Sequence, residues 1–462
     1  MKLNITLGHN AAAALFDAKG KCIVAYEEER LTKVKSDSSF PKLAIEKCAT
    51  WILAGVLTEI RVSTWFDNGN LPENKYYLPK YLSARFPMVP VIISTETHHD
   101  QHANSVWNFS KTEEGLTLVM DGFGNDEECI SIYRDGQLIK RIVGYEYSLG
   151  LMFQYATSAA GLKENEDEYK LLGYEIDSLI DKPQIIDFPK VNLIGGHDEL
   201  INYKKLRLVR EYYHKQFKGM DRVDIARTAQ YNLEARVMQI ISDYYGGGLV
   251  QLSGGVFYNV KLNNLIMRNV EQICVNPVAG DQGNVFGYKG LSYDNLFLGK
   301  RQIKAYEPIP KRNITESFQG AMEFGPRALG NTSTLAMPTM ENVRAINTYN
   351  HRNTVMPMAP IVTREFFEDN FNDTGKVLKS EKYMIVSFDF KTMKDAWRGA
   401  AHYDPQREVY TGRVQVVDFG DKLYEFVNNA GGIMINTSLN FHGTPILYDN
   451  TDLHRYHDLI NQ

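Results

Sequence analysis

Two histidines and two aspartates supply donor atoms suited to a metal site. His98 and His102 are four residues apart, so a helix would place both imidazoles on one face. Asp121 follows a strand-like apolar run, and Asp281 lies in a glycine-containing turn. A set of two imidazoles and two carboxylates suits Fe(II), Mn(II) or Zn(II). In the alternative interpretation, the histidine-rich segment caps a helix and each aspartate is an ordinary turn residue.

A second group of residues has types suited to nucleotide and phosphate binding. Gly254 and Gly255 follow the apolar run 249–252, and such a turn lets the backbone come close to a nucleotide. Arg327 follows a Gly-Pro pair, and arginine holds phosphate oxygens in a two-pronged contact. The C-terminal part adds further polar candidates, which are Arg352, Arg413, Asn436, Thr437, Ser438 and Asn440.

The elements that position these residues form a repeated pattern. Three strand-like runs separated by tight turns, at 3–7, 11–16 and 22–26, recur at 116–120, 128–133 and 138–143. Pairs of such units occur in the actin-like superfamily, where the ligand lies in the cleft between two halves. Asp121 then stands at the end of the first strand of the second unit.

Further along the chain, the pattern predicts a helix over 42–57 and strands over 412–417 and 432–436. Residues 294–312 have the character of a connection, so we predict a domain boundary between residues 310 and 311.

The composition indicates a globular intracellular protein. The chain has 462 residues, 44% of them hydrophobic, and a net charge of −5. Its four cysteines are scattered without a CxxC pair, which fits a reducing cytoplasm. We find no signal peptide and no apolar run of membrane-spanning length in the sequence.

A basic, aromatic-containing segment between residues 203 and 227 is the one feature that suggests nucleic acid. Interleaved cations and aromatic rings can follow a phosphate backbone. The alternative is a solvated helix with core aromatics. The cations are Lys204, Lys205, Arg207, Arg210, Lys215, Lys218, Arg222 and Arg227, and the aromatic residues are Tyr203, Tyr212, Tyr213 and Phe217.

Taken together, the motifs resemble the O-carbamoyltransferase family typified by the nodulation-factor, tobramycin, novobiocin-type and cephamycin enzymes. The similarity is collinear from about residue 7 to residue 447. Its most specific parts are 318–331 and 436–440. The other matching motifs are Gly8-His9-Asn10, Glu27-Glu28-Glu29-Arg30, the pair His98 and His102, Asp121-Gly122, the run Asp167-Glu168-Tyr169-Lys170, Gly254-Gly255 and Asp281-Gln282-Gly283.

The resemblance implies an α/β protein with two domains and a two-step reaction. Residues 1–310 would form a duplicated actin-like (ASKHA) domain similar to the tRNA-threonylcarbamoyl transferase. Residues 311–462 would form a smaller α+β domain similar to the threonylcarbamoyl-adenylate synthase. The C-terminal domain would join carbamoyl phosphate and ATP, bound with Mg, into carbamoyl adenylate. The N-terminal domain would pass the carbamoyl group to an acceptor hydroxyl.

The resemblance also assigns roles to residues. His98, His102, Asp121 and Asp281 would bind Fe(II) or a similar divalent metal, which would act as a Lewis acid. His9 would accept the proton of the acceptor hydroxyl, and Arg327 would act on the phosphate during adenylation. The expected nucleotide- and donor-binding residues are Gly254, Gly255, Asn259, Lys170, Arg352, Arg413, Asn331, Asn436, Thr437 and Asn440.

The chain departs from the family pattern near the donor site. Asn350, Asn353 and Met356 stand where the family usually carries charged residues, and Lys311 or Arg312 could compensate. A nucleotide-binding module that has lost its donor site is therefore one alternative function. An actin-like kinase without the carbamoyl step is another. We expect the acceptor to be a sugar or other small-molecule hydroxyl, or the hydroxymethyl group of a modified pyrimidine in phage-type DNA. A homodimer is the expected oligomer.

Overall fold

In the computed structural model of the protein, the described residues are 1–52, 56–63, 74–175, 178, 180, 183–191, 199–303, 314–352 and 358–460. The predicted domain boundary between residues 310 and 311 lies outside them, as do Lys311, Arg312, Asn353 and Met356.

The N-terminal part is built around one mixed sheet. Its strands are β1 Lys2–Thr6, β2 Ala12–Phe16, β3 Cys22–Glu27, β4 Glu59–Ser63 and β5 Val91–Ile93. In the sheet order β3-β2-β1-β4-β5, β1 is antiparallel to β2 and parallel to β4. The three strands predicted for this unit are confirmed to within one residue at each end.

A second sheet repeats this plan. Its strands are β6 Leu116–Met120, β7 Glu128–Arg134, β8 Gln137–Val143, β9 Leu249–Ser253 and β10 Gln272–Val275. The order is β10-β9-β6-β7-β8, and β6 is antiparallel to β7 and parallel to β9. Because β6 occupies the place of β1, the two sheets form the duplicated arrangement of the actin-like fold, as predicted.

Helices cover these two sheets. They are α1 Glu28–Thr32, α2 Lys42–Ala49, α3 Asn74–Arg85, α4 His98–Ser110, α5 Leu149–Ala159, α6 Glu168–Tyr174, α7 Glu199–Gln216, α8 Arg222–Tyr244 and α9 Val260–Asn269. The predicted helix 42–57 was too long, because α2 ends at Ala49. The β-branched and aromatic residues Thr50, Trp51 and Ile52, which follow it, have lower helix propensity.

The basic segment 203–227 consists of α7 and the first part of α8, and most of its cations contact groups of the same chain. The ion pairs are Lys205 with Glu127 at 2.6 Å, Arg207 with Glu211 at 2.8 Å, Arg210 with Glu164 at 2.7 Å and Arg227 with Glu175 at 3.2 Å. Arg222 donates to the carbonyl of Ala160, and Tyr213 and Phe217 are buried. The segment is therefore mainly a charge-paired helical surface.

The C-terminal part has a mixed five-stranded sheet in the order β12-β14-β20-β15-β19 and a three-stranded sheet in the order β16-β18-β17. The short strands β11 and β13 pair with each other in antiparallel orientation near the start of this part. The bounds are β11 Phe297–Gly299, β12 Ile314–Phe318, β13 Met322–Glu323, β14 Thr332–Ala336, β15 Ala359–Thr363, β16 Ser387–Asp389, β17 His402–Asp404, β18 Val409–Arg413, β19 Gln415–Val417, β20 Ile433–Ser438, α10 Met340–Tyr349, α11 Arg364–Asn370, α12 Tyr424–Asn429 and α13 Asn450–Ile460.

The single strand predicted over 412–417 was wrong. The structure divides it at Val414, so that Arg413 ends β18 in one sheet and Gln415 begins β19 in the other. Val414 is buried at the junction. An apolar run that passes from one sheet to the next has the same sequence pattern as one continuous strand, which explains the error.

Candidate active site

Helix α4 presents the two histidines as one face. Thr97 caps the helix, since its hydroxyl accepts the N–H of Asp100 while the Asp100 carboxylate accepts the N–H of Thr97. This capping box makes His98 the first helical residue and places His102 one turn later. Both imidazoles are buried, with 3% and 0% of their surface exposed. The predicted helical face of histidines is confirmed.

The two aspartates reach the same point from different elements. Asp121 follows β6, and Asp281 begins the short 3₁₀ helix Asp281–Phe286. His102 Nε2 lies 3.1 Å from Asp121 Oδ2 and 3.6 Å from Asp281 Oδ1. His98 Nε2 lies 3.4 Å from each of the same two oxygens. Each of the four residues offers one donor atom, and these four atoms all lie within 4.8 Å of one another.

These distances and donors fit a divalent metal. Ligand atoms bound at about 2.0–2.2 Å in tetrahedral or octahedral geometry lie about 3.0–3.5 Å from one another. Burial lowers the pKa of His98, but the charge of Asp281 and hydrogen bonds with Asp121 and Asp281 raise it to about 10. Without a metal, a proton on His98 therefore balances part of the charge of the two carboxylates. A bound metal cation would replace the proton as the positive charge beside the two carboxylates.

The turn predicted to approach a nucleotide adjoins this cluster. Gly254 has φ +99° in the turn after β9, and a Cβ there would lie 2.2 Å from the Met120 carbonyl oxygen. A Cβ on Gly255 would lie 2.9 Å from Asp121 Oδ1. Only glycine allows this close approach of the turn to the metal-ligand strand.

Asn259 has a structural role in addition to the predicted nucleotide contact. Its side-chain oxygen accepts the N–H of Leu262 and so caps α9. Its amide nitrogen donates to Gln230 at 2.7 Å, and Gln230 in turn donates to Glu234 at 2.7 Å. Glu234 lines a cavity of about 180 Å³, together with Glu175, Arg227, Lys261, Arg268 and Arg407. Asn259 is thus connected to this polar cavity through Gln230 and Glu234, but Gly254, Gly255 and Asn259 do not line it.

His9 stands in the turn after β1 and is partly exposed. Among the described residues, no hydrogen bond or ion pair joins it to the four-residue metal cluster. Its predicted role in proton transfer therefore stays a prediction.

The three predicted phosphate-binding arginines are close together. Burial lowers the pKa of Arg413, and the positive charges of Arg327 and Arg352 lower it further. No carboxylate of the described chain is among the groups that act on Arg327, Arg352 or Arg413. Three partly buried guanidinium groups without a counter-charge form a site suited to an anion.

The other predicted donor-site residues are placed around these arginines in different ways. Arg352 donates to Ser438 Oγ at 2.8 Å, and Ser438 donates to Asn440 at 2.6 Å. Asn436 bonds Gln415 at 2.8 Å and keeps a buried carbonyl oxygen without a partner in the described residues, and Thr437 is buried beside it on β20.

Two of the predicted residues are instead engaged locally. The side chain of Asn331 donates to the Ala321 carbonyl at 2.6 Å and therefore shapes its own loop. Lys170 is ion-paired with Asp167 at 2.7 Å, on the N-terminal side of α6.

Sequence reasoning missed the residues that hold the Arg327 loop. Glu27 accepts the N–H of Gly325 at 2.9 Å, and Arg30 donates to the carbonyl of Gly325 at 2.6 Å. Tyr258 places its ring 5.9 Å from the Arg327 guanidinium carbon. The Glu27-Glu28-Glu29-Arg30 motif was visible in the sequence, but nothing in it indicated this distant partner.

The fold and site define an actin-like protein with a second α/β part, and family comparisons specify it further. The chain matches the family model described as Carbamoyltransferase N-terminus over residues 85–288. It matches the model described as Carbamoyltransferase C-terminus over residues 307–460. The chain therefore belongs to the carbamoyltransferase family, and it is an enzyme of the carbamoyltransferase type.

Individual relatives agree with this assignment. An uncharacterized protein of Methanocaldococcus jannaschii is 25% identical and aligns over 98% of this chain and 95% of its own. The nodulation protein NolNO of Sinorhizobium fredii is 25% identical over 96% of this chain and 75% of its own. The 3'-hydroxymethylcephem-O-carbamoyltransferase of Amycolatopsis lactamdurans is 33% identical over 46% of each chain.

Solved structures give weaker likenesses. Component A of (R)-2-hydroxyglutaryl-CoA dehydratase from Acidaminococcus fermentans matches 62% of this chain and 95% of its own, with 12% identity and a TM-score of 0.39. The assignment of the fold rests on the strand order, to which this score adds nothing. No helix in the described ranges is both long and apolar enough to cross a bilayer.

Proposed function

We propose that this carbamoyltransferase activates carbamoyl phosphate with ATP and then carbamoylates an acceptor hydroxyl. Loss of phosphate from carbamoyl phosphate by hydrolysis gives carbamate. A carbamate oxygen attacks the α-phosphorus of ATP, and pyrophosphate leaves. The acceptor oxygen then attacks the carbamoyl carbon, gives up its proton, and AMP leaves.

The observation that carries this proposal is the arginine cluster. Carbamoyl phosphate and ATP are polyanions, and Arg327, Arg352 and Arg413 lack carboxylate partners in the described chain. Guanidinium groups can each hold two oxygens of a phosphate. Such a cluster would be costly for a protein that bound only neutral ligands.

The transfer step is assigned to the N-terminal part. His98, His102, Asp121 and Asp281 would hold a divalent metal such as Fe(II), which supplies Lewis acidity when bound. The Gly254-Gly255 turn would take the adenosine of the activated intermediate, together with Asn259 at the start of α9. His9 is the proposed acceptor of the hydroxyl proton.

A small-molecule hydroxyl is the acceptor that we favour. The relative from Amycolatopsis lactamdurans is named for a hydroxymethylcephem acceptor. For the DNA alternative, four of the eight cations in the 203–227 segment are ion-paired with carboxylates of the same chain. That pairing leaves fewer cations to contact a phosphate backbone.

The test is a reaction with ATP, Mg(II), carbamoyl phosphate labelled in the carbamoyl group, and Fe(II). Sugars, nucleosides and hydroxymethylated DNA would be offered in parallel as acceptors. We expect pyrophosphate and AMP to appear only with carbamoyl phosphate, and the label to move to one acceptor. His98→Ala should lower transfer about 100-fold or more, since outer-shell changes alone cost about 10–100-fold.

His454→Ala, at an exposed position of α13, is the control and should retain activity. ATP turnover that does not depend on carbamoyl phosphate would instead indicate a kinase. Transfer to hydroxymethylated DNA alone would reverse our choice of acceptor.

A further inference from the structure

Tyr258 lies between the two chemical centres. It ends the short helix Gly255–Tyr258, which directly follows the Gly254 turn. The side chain is partly buried, and its two ends contact different elements. Neither contact was foreseen from the sequence, in which Tyr258 is one of several residues after the glycine pair.

The hydroxyl of Tyr258 binds the turn that carries a predicted metal ligand. It accepts the backbone N–H of Gly280 at 3.0 Å and the side-chain amide of Gln282 at 2.7 Å. These two donors flank Asp281 on both sides. A Cβ on Gly280 would lie 3.0 Å from the Tyr258 ring, so the ring and this turn are packed as closely as glycine allows.

The ring of Tyr258 faces the anion site. Its centroid lies 5.9 Å from the guanidinium carbon of Arg327, within the range of a cation–π contact. No carboxylate of the described chain acts on Arg327, and the Tyr258 ring is one of the groups close to its guanidinium group. One side chain therefore touches the Asp281 turn with its hydroxyl and Arg327 with its ring.

We propose that Tyr258 is a positioning residue that fixes Asp281 and Arg327 relative to each other, so that metal affinity and anion binding depend on the same side chain. The inference rests on the proposed function, in which Asp281 is a metal ligand and Arg327 holds a phosphate. It extends that function because the metal site and the anion site would then share one positioning side chain. The two ends of the side chain can be removed separately.

Removal of the hydroxyl alone tests the metal side. Tyr258→Phe retains the ring but leaves the Gly280 N–H and the Gln282 amide without their acceptor. We expect the affinity for Mn(II), measured by electron paramagnetic resonance titration, to fall about 10-fold. Affinity for inorganic phosphate, measured by calorimetry, should not change. Gly280→Ala should have the same effect on Mn(II), because the added methyl group displaces the Tyr258 ring.

Removal of the ring tests the anion side. Tyr258→Leu should weaken both Mn(II) and phosphate binding, the latter also about 10-fold. Tyr212→Phe is the control, since Tyr212 lies on helix α7 and its hydroxyl donates to the Asp187 carbonyl at 2.9 Å. It should change neither affinity, and thermal unfolding would show that all variants are folded.

The outcomes separate this inference from the proposed function. Normal Mn(II) binding by both Tyr258→Phe and Gly280→Ala would overturn the role of Tyr258 and leave the metal site standing. A wild-type protein that binds neither Mn(II) nor Fe(II) would overturn the metal site and this role together. Unchanged phosphate binding in Tyr258→Leu would remove the link to Arg327.

Discussion

Single residues in this protein carry charge in places where it opposes folding. The clearest case is Arg413, whose pKa is held well below its usual range by burial and by the charges of Arg327 and Arg352. Such repulsion reduces the stability of the protein when no anion is bound. It also creates a strong preference for any anion that can neutralise the cluster.

The repulsion among the three arginines leads to a prediction about thermal stability and carbamoyl phosphate binding. Arg413→Met should raise the thermal stability of the ligand-free protein, by on the order of 1 kcal/mol, because it removes one like charge from the cluster. Wild type should in turn be stabilised by carbamoyl phosphate, by about 2.7 kcal/mol at a concentration of 100 times Kd. Arg413→Met should lose that increase. Both effects are read by thermal unfolding with and without the ligand.

Arg236→Met is a suitable control for this experiment. Arg236 lies on helix α8, apart from the arginine cluster, and donates to the Ile186 carbonyl. It should keep the stabilisation by carbamoyl phosphate. A ligand-free Arg413→Met that is less stable than wild type would show that the arginine is part of the fold rather than of an anion site.

At the same scale, the sequence predicted all four residues that the structure brings together as a candidate metal site. The His98 and His102 spacing predicts one helical face. The contexts of Asp121 and Asp281 predict a carboxylate at the tip of a buried strand and another in a glycine-rich turn. Tyr258 could not be found in this way. Its function depends on two turns, far apart in the chain, that pack on its opposite ends.

At the scale of elements, the site depends on how closely turns and helices approach the end of β6. Gly150 lies in the first turn of α5, and a Cβ there would lie 2.7 Å from the Asp121 carbonyl oxygen. The helix thus packs directly against the backbone of a predicted metal ligand. The strands of the two repeated units could be predicted from sequence, but this close approach depends on tertiary packing.

A substitution at Gly150 tests this packing. In an ordinary helix, Gly→Ala is favourable by about 1 kcal/mol. Gly150→Ala should instead give no gain in stability and should lower Mn(II) affinity, since the methyl group must displace the Asp121 backbone. Gly375→Ala, at an exposed glycine with no atom within 4 Å of the added Cβ, should leave Mn(II) affinity unchanged. Tight Mn(II) binding by Gly150→Ala would show that the end of β6 can move without harm.

The element-scale errors of the sequence analysis share a physical origin. The strand at 412–417 was predicted as one element because its residues have the pattern of a buried strand throughout. In the fold, β18 and β19 belong to different sheets. Local propensity identifies an extended segment, whereas its partners are decided by contacts with distant parts of the chain.

At the scale of the whole molecule, the N-terminal hairpin holds a loop of the C-terminal part. Glu27 and Arg30 bind both backbone groups of Gly325, which has φ +100° and lies two residues before Arg327. Arg30 also pairs with Glu29 at 2.9 Å, and its side chain is 2% exposed. The loop that carries Arg327 is therefore held by residues that are about 300 positions away in sequence. Sequence alone gives no basis for predicting such a contact.

This coupling predicts a specific pattern of stability. Arg30→Met should destabilise the protein by about 3–5 kcal/mol, because it leaves buried carboxylates without their counter-charge. It should also raise the KM for carbamoyl phosphate, since Gly325 loses one of its two anchors. Adding Glu27→Gln should restore part of the stability, because the remaining amide carries no charge but can still accept the Gly325 N–H.

The pH dependence distinguishes this mechanism from a simple loss of packing. Burial raises the pKa of Glu27, while the charge of Arg30 lowers it. A carboxyl with a raised pKa favours the folded state below its unfolded pKa, and that contribution is lost as the pH rises through the folded value. Arg30→Met enlarges this loss, so its destabilisation relative to wild type should be smaller at pH 5 than at pH 8. Glu27→Gln in the same background should remove most of the difference between the two pH values. Equal destabilisation at both pH values would mean that Arg30 acts through its volume and not through its charge.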